Sequence, residues 1–217
     1  MTNIGVSFDD IHSYHDLNLI LSASDIPPAK PKTSYVDVPG ADGSLDLTEA
    51  VGEVKYSDRD IRFTFTMLPD SVQTFEDKRT EVVNLLNGRV FKITLDRDED
   101  YYFRGRCSVD SYDVDRNHHQ IVISVKANPY KFKQNVTRKT IQLSETPQTV
   151  LMANGRKSVA PSITCTNNNT AVEFNGGVYR LSQGTHKVLD ILFVEGNNKV
   201  TVYGLGSITF EYQEGEL

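Results

Sequence analysis

Residues 61–67 read Ile-Arg-Phe-Thr-Phe-Thr-Met, and this strict alternation constrains the fold more than any other run in the chain. A period of two puts Ile61, Phe63, Phe65 and Met67 on one face and Arg62, Thr64 and Thr66 on the other, the pattern of a half-buried strand. A slip of one residue would expose the whole apolar set, so the register is strongly specified. Immediately downstream, Asp70 and Gln73 fit a capping box and Gly88 supplies a stop. Between them Val72, Phe75, Val82, Val83 and Leu86 recur near 3.6, which predicts one amphipathic helix over about 71–87. Strand pattern resumes at Phe91, Ile93 and Leu95. It continues through Tyr101, Phe103, Gly105, Cys107 and Val109, and again through Ile121, Ile123 and Val125. The acidic turn Asp96–Asp100 and the polar turn Asp115-Arg116-Asn117-His118 separate these runs. The order strand, helix, strand, strand, strand predicts an antiparallel sheet closed by one helix.

Upstream, short strand-like runs occur at Ile4–Phe8, Leu17–Ala23 and Tyr35–Val38. Pro27, Pro28 and Pro31 forbid a central strand between the last two and predict a projecting, polyproline-like loop. Pro39-Gly40-Ala41-Asp42-Gly43 places two turn signals almost in contact. Downstream of Asn128-Pro129-Tyr130-Lys131-Phe132-Lys133 no helical periodicity remains. Short apolar runs alternate with turns at Asn154-Gly155, Asn167–Asn169, Asn175-Gly176-Gly177, Gly196-Asn197-Asn198 and Gly204–Ser207. That spacing predicts a sandwich or jelly roll. The chain therefore reads as mainly β, with an α+β domain over 1–133 and an all-β domain over 134–217.

Charge excludes one class of function. Residues 1–130 hold 14 Lys/Arg against 22 Asp/Glu, whereas residues 131–217 hold 9 against 7. An acidic first domain repels a phosphate backbone, so sequence-specific nucleic-acid binding is not expected. No apolar run approaches the length of a membrane span, and Met1–Gly5 carries neither a basic nor an apolar stretch, so neither a membrane role nor a secretory signal is expected. Cys107 and Cys165 lie far apart in strand-like segments and read as small, reduced core residues, in keeping with assembly in a cytosol.

Candidate constellations for chemistry are weak. His12, His15 and Asp16 lack a third ligand at a recognisable spacing. His118 and His119 are adjacent at a hairpin tip and point to opposite faces. Asp42, Asp46 and Glu49 miss the calcium-loop spacing. Asp96, Asp98, Glu99 and Asp100 crowd around Arg97 as a solvent-facing turn rather than a catalytic carboxylate pair. Cys107 has no convincing basic partner nearby in sequence, since alternation turns the adjacent Arg106 to the opposite face. The sequons Asn135-Val136-Thr137 and Asn168-Asn169-Thr170 have no meaning without secretion. Tyr101, Tyr102, Tyr112, Tyr130 and Tyr179 could stack on sugars, but the chain has no tryptophan, and packing is the favoured role. No catalytic, cofactor or metal residues are assigned, and no enzymatic activity is expected.

The residues do resemble a known family, the distal tail proteins of siphophages, prophages and related tail-like particles. Gly5-Val6-Ser7-Phe8 is similar to the family's opening strand. Val38-Pro39-Gly40-Ala41-Asp42-Gly43-Ser44-Leu45-Asp46-Leu47-Thr48 resembles its Pro-Gly, small polar turn, Leu-Asp, Thr signature. Ile61–Leu68, with the helix ending Leu85-Leu86-Asn87-Gly88, resembles its central strand and helix. Ala127–Lys133 resembles its domain junction. The run from Leu181-Ser182-Gln183-Gly184-Thr185-His186 through Gly196-Asn197-Asn198 to Phe210-Glu211-Tyr212-Gln213-Glu214-Gly215 resembles its final domain. The resemblance implies a split-barrel-like N-terminal domain followed by a galectin-like β-sandwich. It also implies a homohexameric ring at the virion tail tip that joins the tail tube to the baseplate or tip. Its implied partners are the tail tube protein, the tape-measure protein and a tail-tip or tail-associated protein, with DNA passing through. Assembly in the host bacterial cytoplasm follows from the same resemblance.

Closed cyclic symmetry requires each copy to offer two different complementary faces. The Pro27–Pro31 loop or the Pro39–Thr48 segment is expected to reach the next copy, where a strand could extend an open sheet edge. An acidic bore would let a phosphate chain pass without holding it. The alternative reading is a carbohydrate-binding module for host cell-wall sugars, for which Arg180 and His186 are available. A cell-wall hydrolase would need a carboxylate pair or an activated nucleophile, and neither is visible.

Overall fold

The computed structural model describes residues 5–50, 52–67, 75–115 and 118–217, with the backbone alone for 111–115 and 118. Two compact units divide the chain at Lys131/Phe132.

In the first unit β1 (Val6–Phe8), β2 (Ile11–His12), β3 (Leu19–Asp25), β4 (Tyr35–Asp37), β5 (Ser44–Asp46) and β6 (Arg59–Met67) precede helix α1 (Phe75–Leu86). Strands β7 (Val90–Leu95), β8 (Tyr101–Asp115) and β9 (His118–Ala127) follow it. The main sheet runs β2-β1-β7-β8-β9-β6-β3, and all of these pairs are antiparallel. β6 is as the alternation predicts. Ile61, Phe63 and Phe65 are wholly buried and Met67 nearly so, while Arg62 faces solvent. Phe8 meets the rings of Phe63, Phe65 and Phe91 at centroid distances of 6.1–6.4 Å. This aromatic centre is completed by Ile93, Ile121, Ile123 and Val125. At Gly105 on β8 a side chain is impossible without movement, because a Cβ would stand 2.6 Å from the Lys126 carbonyl oxygen and the Val125 side chain.

Helix α1 buries Val82 and Leu86 and half-buries Val83, three of its predicted apolar positions, with Phe75 packed at the margin. Asp70, Val72 and Gln73 lie outside the described residues. Gly88 ends the helix with φ +76°, and its N–H donates to Cys107 O at 2.8 Å, tying the helix to β8. Lys78 is an unforeseen buried residue. Its stem lies in the packed face while its ammonium pairs with Glu81 at 2.8 Å. The predicted polar turn at 115–118 has Asp115 and His118 paired across β8 and β9, and residues 116–117 lie outside the described residues.

The boundary strand β10 (Lys131–Lys133) leads to the second unit, which contains β11 (Thr137–Gln142), β12 (Gln148–Asn154), β13 (Ser162–Cys165) and β14 (Thr170–Phe174). It continues with β15 (Gly177–Leu181), β16 (Gly184–Lys187), β17 (Gly196–Tyr203), β18 (Ser207–Tyr212) and β19 (Gly215–Glu216). Two four-stranded antiparallel sheets, β11-β18-β13-β16 and β12-β17-β14-β15, form a β-sandwich. Its core holds Phe174, Phe193, Phe210 and Tyr212, whose ring centroids lie 5.1–6.2 Å apart around Phe193. Asn175 (φ +50°) and Gly176 (φ +81°) make the two-residue hairpin between β14 and β15, as the Asn-Gly pair predicts. The segment before β17 is held by a single antiparallel bridge between Phe193 and Val159 and by two buried amides. Asn198 accepts from Val194 N and donates to Val194 O and Met152 O, while Asn154 donates to Phe193 O.

Candidate functional site

One segment of the first unit is built unlike the rest. Residues 31–46 are exposed without a break, and they include Tyr35 at 60%, Leu45 at 54%, and Val36 and Val38 at 45% each. The chain leaves the unit and returns through a closed stem. Ser57 N donates to Lys30 O (2.8 Å), Lys32 N donates to Lys55 O (2.7 Å), and Pro31 bridges to Tyr56. Above the stem Leu47 N donates to Ser34 O, and β4 and β5 pair as Tyr35↔Asp46, Val36↔Leu45 and Asp37↔Ser44. The tip closes through Ala41 N to Val38 O, with Gly40 at φ +82° and Gly43 at φ +75°. From stem to tip the arm can extend about 30 Å, at the rise of an extended strand.

The arm's root is held firmly. Arg59 is buried, donates from Nε to Pro129 O at 2.7 Å, and lies 5.5 Å over the Phe103 ring. Tyr56 meets Tyr130 edge-on at 5.9 Å. The proline run was expected to project. Instead Ile26, Pro27 and Ala29 are half-buried, and the projecting part begins at Pro31. Fixed backbone torsions at the prolines stiffen the base, leaving the freedom of Gly40 and Gly43 for the tip.

The arm's two faces differ. Val36 and Leu45 share one face, while Tyr35, Asp37, Ser44 and Asp46 share the other. Asp46 accepts the Thr48 N–H at 2.9 Å, and hydrogen bonds from the Thr48 side chain and backbone hold its carboxyl below the ordinary aspartate value. Asp42 lies at the tip. Asp46 and Glu49 line an open groove with Pro31, Thr33, Thr48 and Val54, and among the described residues they belong to no group of His, Cys, Asp or Glu suited to a metal.

The remaining sequence candidates act as ties. His12 Nδ1 accepts the N–H groups of Tyr14 (3.1 Å) and His15 (3.2 Å), so Nε2 carries the proton it shares with the Asp96 carboxylate at 3.2 Å. Asp96 also accepts Gly5 N at 2.6 Å. Both ring nitrogens of His12 are thus committed, and among the described residues no cluster of His, Cys, Asp or Glu suits a metal. The acidic run was expected to face solvent. Instead Asp96 and Asp98 are half-buried, Asp98 accepts Lys131 Nζ at 2.7 Å, and Arg97 donates to Ser24 at 3.0 Å. The crowded run is thus tied to four separate partners, His12, Gly5, Lys131 and Ser24. His119 stacks on Phe75, and the His118 side chain is outside the described residues.

The tyrosines form no common platform. Tyr101 lies beneath Lys131 and Tyr102 beneath Lys92, Tyr130 meets Tyr56, and Tyr179 packs on the sandwich core; the Tyr112 side chain is not described. Arg180 and His186 sit on edge strands of different sheets, and His186 Nε2 is engaged with Ser182 O at 2.8 Å. Both cysteines are buried free thiols. Burial pushes Cys107 up to about 12, with Asp9 adding to the shift, and raises Cys165 as well.

Sequence reading missed one feature. The solvent face of β6, β8 and β9 carries Arg62, Arg104, Arg106 and Lys126, all exposed, inside a unit whose overall balance is acidic. The signal was present in the polar positions of three alternating strands, but a summed charge conceals it.

Comparison with known proteins agrees with this architecture. Among solved structures, the chain is similar to the SPP1 Dit (gp 19.1) protein, described as a paradigm of the hub adsorption apparatus in Gram-positive-infecting phages. The TM-score is 0.69 at 13% identity over 99% of both chains. No curated protein sequence matches it. Residues 11–144, well over half of the chain, match the family described as phage tail protein RIFT-related domain, so the chain belongs to the siphophage tail proteins.

Proposed function

We propose that this protein is the structural hub at the tip of a long-tailed phage or tail-like particle. Six copies close into a ring that joins the tail tube to the baseplate or tip and leaves an open centre for DNA. The observation that carries this reading is the arm at residues 31–56. Tyr35, Val36, Val38 and Leu45 stand in water on a hairpin whose backbone bonds, among the described residues, run within itself and to its own stem. An exposed apolar set on a rigid projecting element marks an interaction surface. An arm on one side and a different receiving surface on the other are what a head-to-tail ring requires. The fold shared with a tail hub protein supports the same conclusion. The functional work is scaffolding, with tube, tape-measure and tip proteins as neighbours and assembly in the host cytoplasm.

Negative-stain imaging of the purified chain tests this directly. A six-fold annulus with an open centre is expected, whereas particles of single-chain size at micromolar concentration would overturn it.

A further inference from the structure

We propose that the basic row on the outer face of the main sheet is the receiving surface for the acidic face of a second copy's arm. This rests on the arm-mediated ring proposed above and names the surface that the arm meets.

The row is defined by register. Arg106 stands directly opposite Lys126, Lys126 opposite Asp60, and Arg62 opposite Ser124, while Val90 and Lys92 flank Arg106 and Arg104. The intervening residues Phe103, Gly105, Cys107, Val125 and Ala127 face inward, so the cations share the solvent side. Like charges directly opposed across a ladder destabilise a sheet. Arg106 donates to Gly88 O, and among the described residues the side chains of Arg62, Arg104 and Lys126 make no ion pair or hydrogen bond. The directly opposed Arg106 and Lys126 are therefore a cost to the isolated chain, set against Asp60 opposite Lys126 and Asp58 beside the row, that an incoming anion would reduce.

The arm supplies that anion. Across the arm, residues 31–56, Asp37, Asp42, Asp46, Glu49 and Glu53 outnumber Lys32 and Lys55, which lie in the stem, where Lys55 pairs with Glu53 at 3.6 Å. Asp37 and Asp46 share one face as diagonal cross-strand neighbours, about 7–8 Å apart. Arg104 and Lys126 are diagonal neighbours in the same sense, and so are Lys126 and Arg62. Two carboxylates thus meet cations at a matching interval. Tyr35 lies on the acidic face of the hairpin, and Val90, 42% exposed, lies on the basic row beside Arg106. An aromatic ring among carboxylates fits a valine among cations, whereas a phosphate chain would leave Val90 uncovered. The occupant comes from another copy, because residues 31–46 of the same chain are all exposed and so do not lie on their own sheet.

Native mass spectrometry across a salt series tests the proposal with three chains: wild type, Arg104→Glu/Lys126→Glu, and the latter combined with Asp37→Arg/Asp46→Arg. All the changed residues are exposed, and matching circular dichroism and urea midpoints establish that each variant folds. Wild type is expected to assemble less as salt rises. The row reversal should weaken assembly at least about tenfold, within the range of coupling seen for close interfacial charge pairs, and the combined reversal should restore much of it. As a measurement that does not depend on charge, oxidised Asp37→Cys/Lys126→Cys protein should form disulfide-linked ladders between copies. A row reversal that assembles like wild type, together with the absence of a ladder, overturns the receiving surface and leaves the ring standing. So does a row reversal that leaves the mass intact but abolishes binding of a duplex DNA oligonucleotide, which would assign the row to phosphate. Failure of the combined reversal to recover, with no ladder formed, also overturns it. A wild-type chain that stays single removes the ring itself.

Discussion

Strand β6 and the β4–β5 hairpin use the same chemistry to opposite ends. β6 alternates apolar with polar residues, and the hairpin sets Val36 and Leu45 on one face with Tyr35 among the polar residues of the other. In β6 the apolar set is wholly or almost wholly buried within the chain, whereas in the hairpin Tyr35, Val36 and Leu45 remain 45–60% exposed. The difference lies in what surrounds them. β6 is flanked by β3 and β9 and faces the Phe8 cluster, while among the described strands β4 and β5 pair with each other alone. Amphipathic pattern therefore reports that a surface will be covered, and says nothing about which chain covers it.

The contrast can be broken most sharply by mutation. Phe63→Ala removes a wholly buried ring and is expected to cost the first unit about 3–5 kcal/mol in urea unfolding. Leu45→Ser and Val36→Ser should change the same midpoint by no more than about 0.5 kcal/mol while weakening assembly. A comparable loss of stability from both kinds of mutation would erase the distinction. Gly105→Ala should follow, at about 1–3 kcal/mol, because its methyl group would meet β9 backbone that cannot retreat. Arg59→Met sharpens the comparison at the arm's root. Losing the bond to Pro129 O should raise amide exchange at Lys32 and Ser57 and soften assembly, with a stability change of about 1–3 kcal/mol. The smallest expected effect is chemical. The Cys107 pKa of about 12 keeps the folded thiol neutral, so Ellman's reagent at pH 8 should react only on unfolding. With the folded value above the ordinary one, its contribution is whole below about pH 9 and fades as pH climbs toward about 12. Fast labelling of native protein would contradict the packing around β8.

Where burial and periodicity coincide, the fold was legible in the sequence: β6 to within two residues, the Gly88 stop, the Asn175-Gly176 hairpin and the strand-rich second half. The strand Leu17–Ala23 lies two residues further on, at Leu19–Asp25, because residues 13–17 form a turn and Asn18 after it adopts φ +53°. The arm was legible only as a place. Pro39–Thr48 was marked as reaching outward, but no local rule says that Tyr35 and Leu45 lack partners in their own chain. Long-range ties were invisible for a related reason. Asp96 meets His12 and Gly5, and Asp98 meets Lys131, at separations that spacing rules do not span. The basic row was hidden by averaging, since its members are scattered over 64 positions and converge only once β6, β8 and β9 pair.

The central claim is that the arm's exposed apolar surface exists to be covered by another copy. Lys32 and Lys55 already face one another in the stem, so the intervening residues can be replaced by an Asn-Gly turn that leaves the strands of the main sheet intact. Native mass spectrometry of this shortened chain beside the intact one is the most direct test. The account predicts a multi-copy assembly for the intact chain and a single chain, with an unchanged urea midpoint, for the shortened one. Assembly of equal mass in both would contradict it.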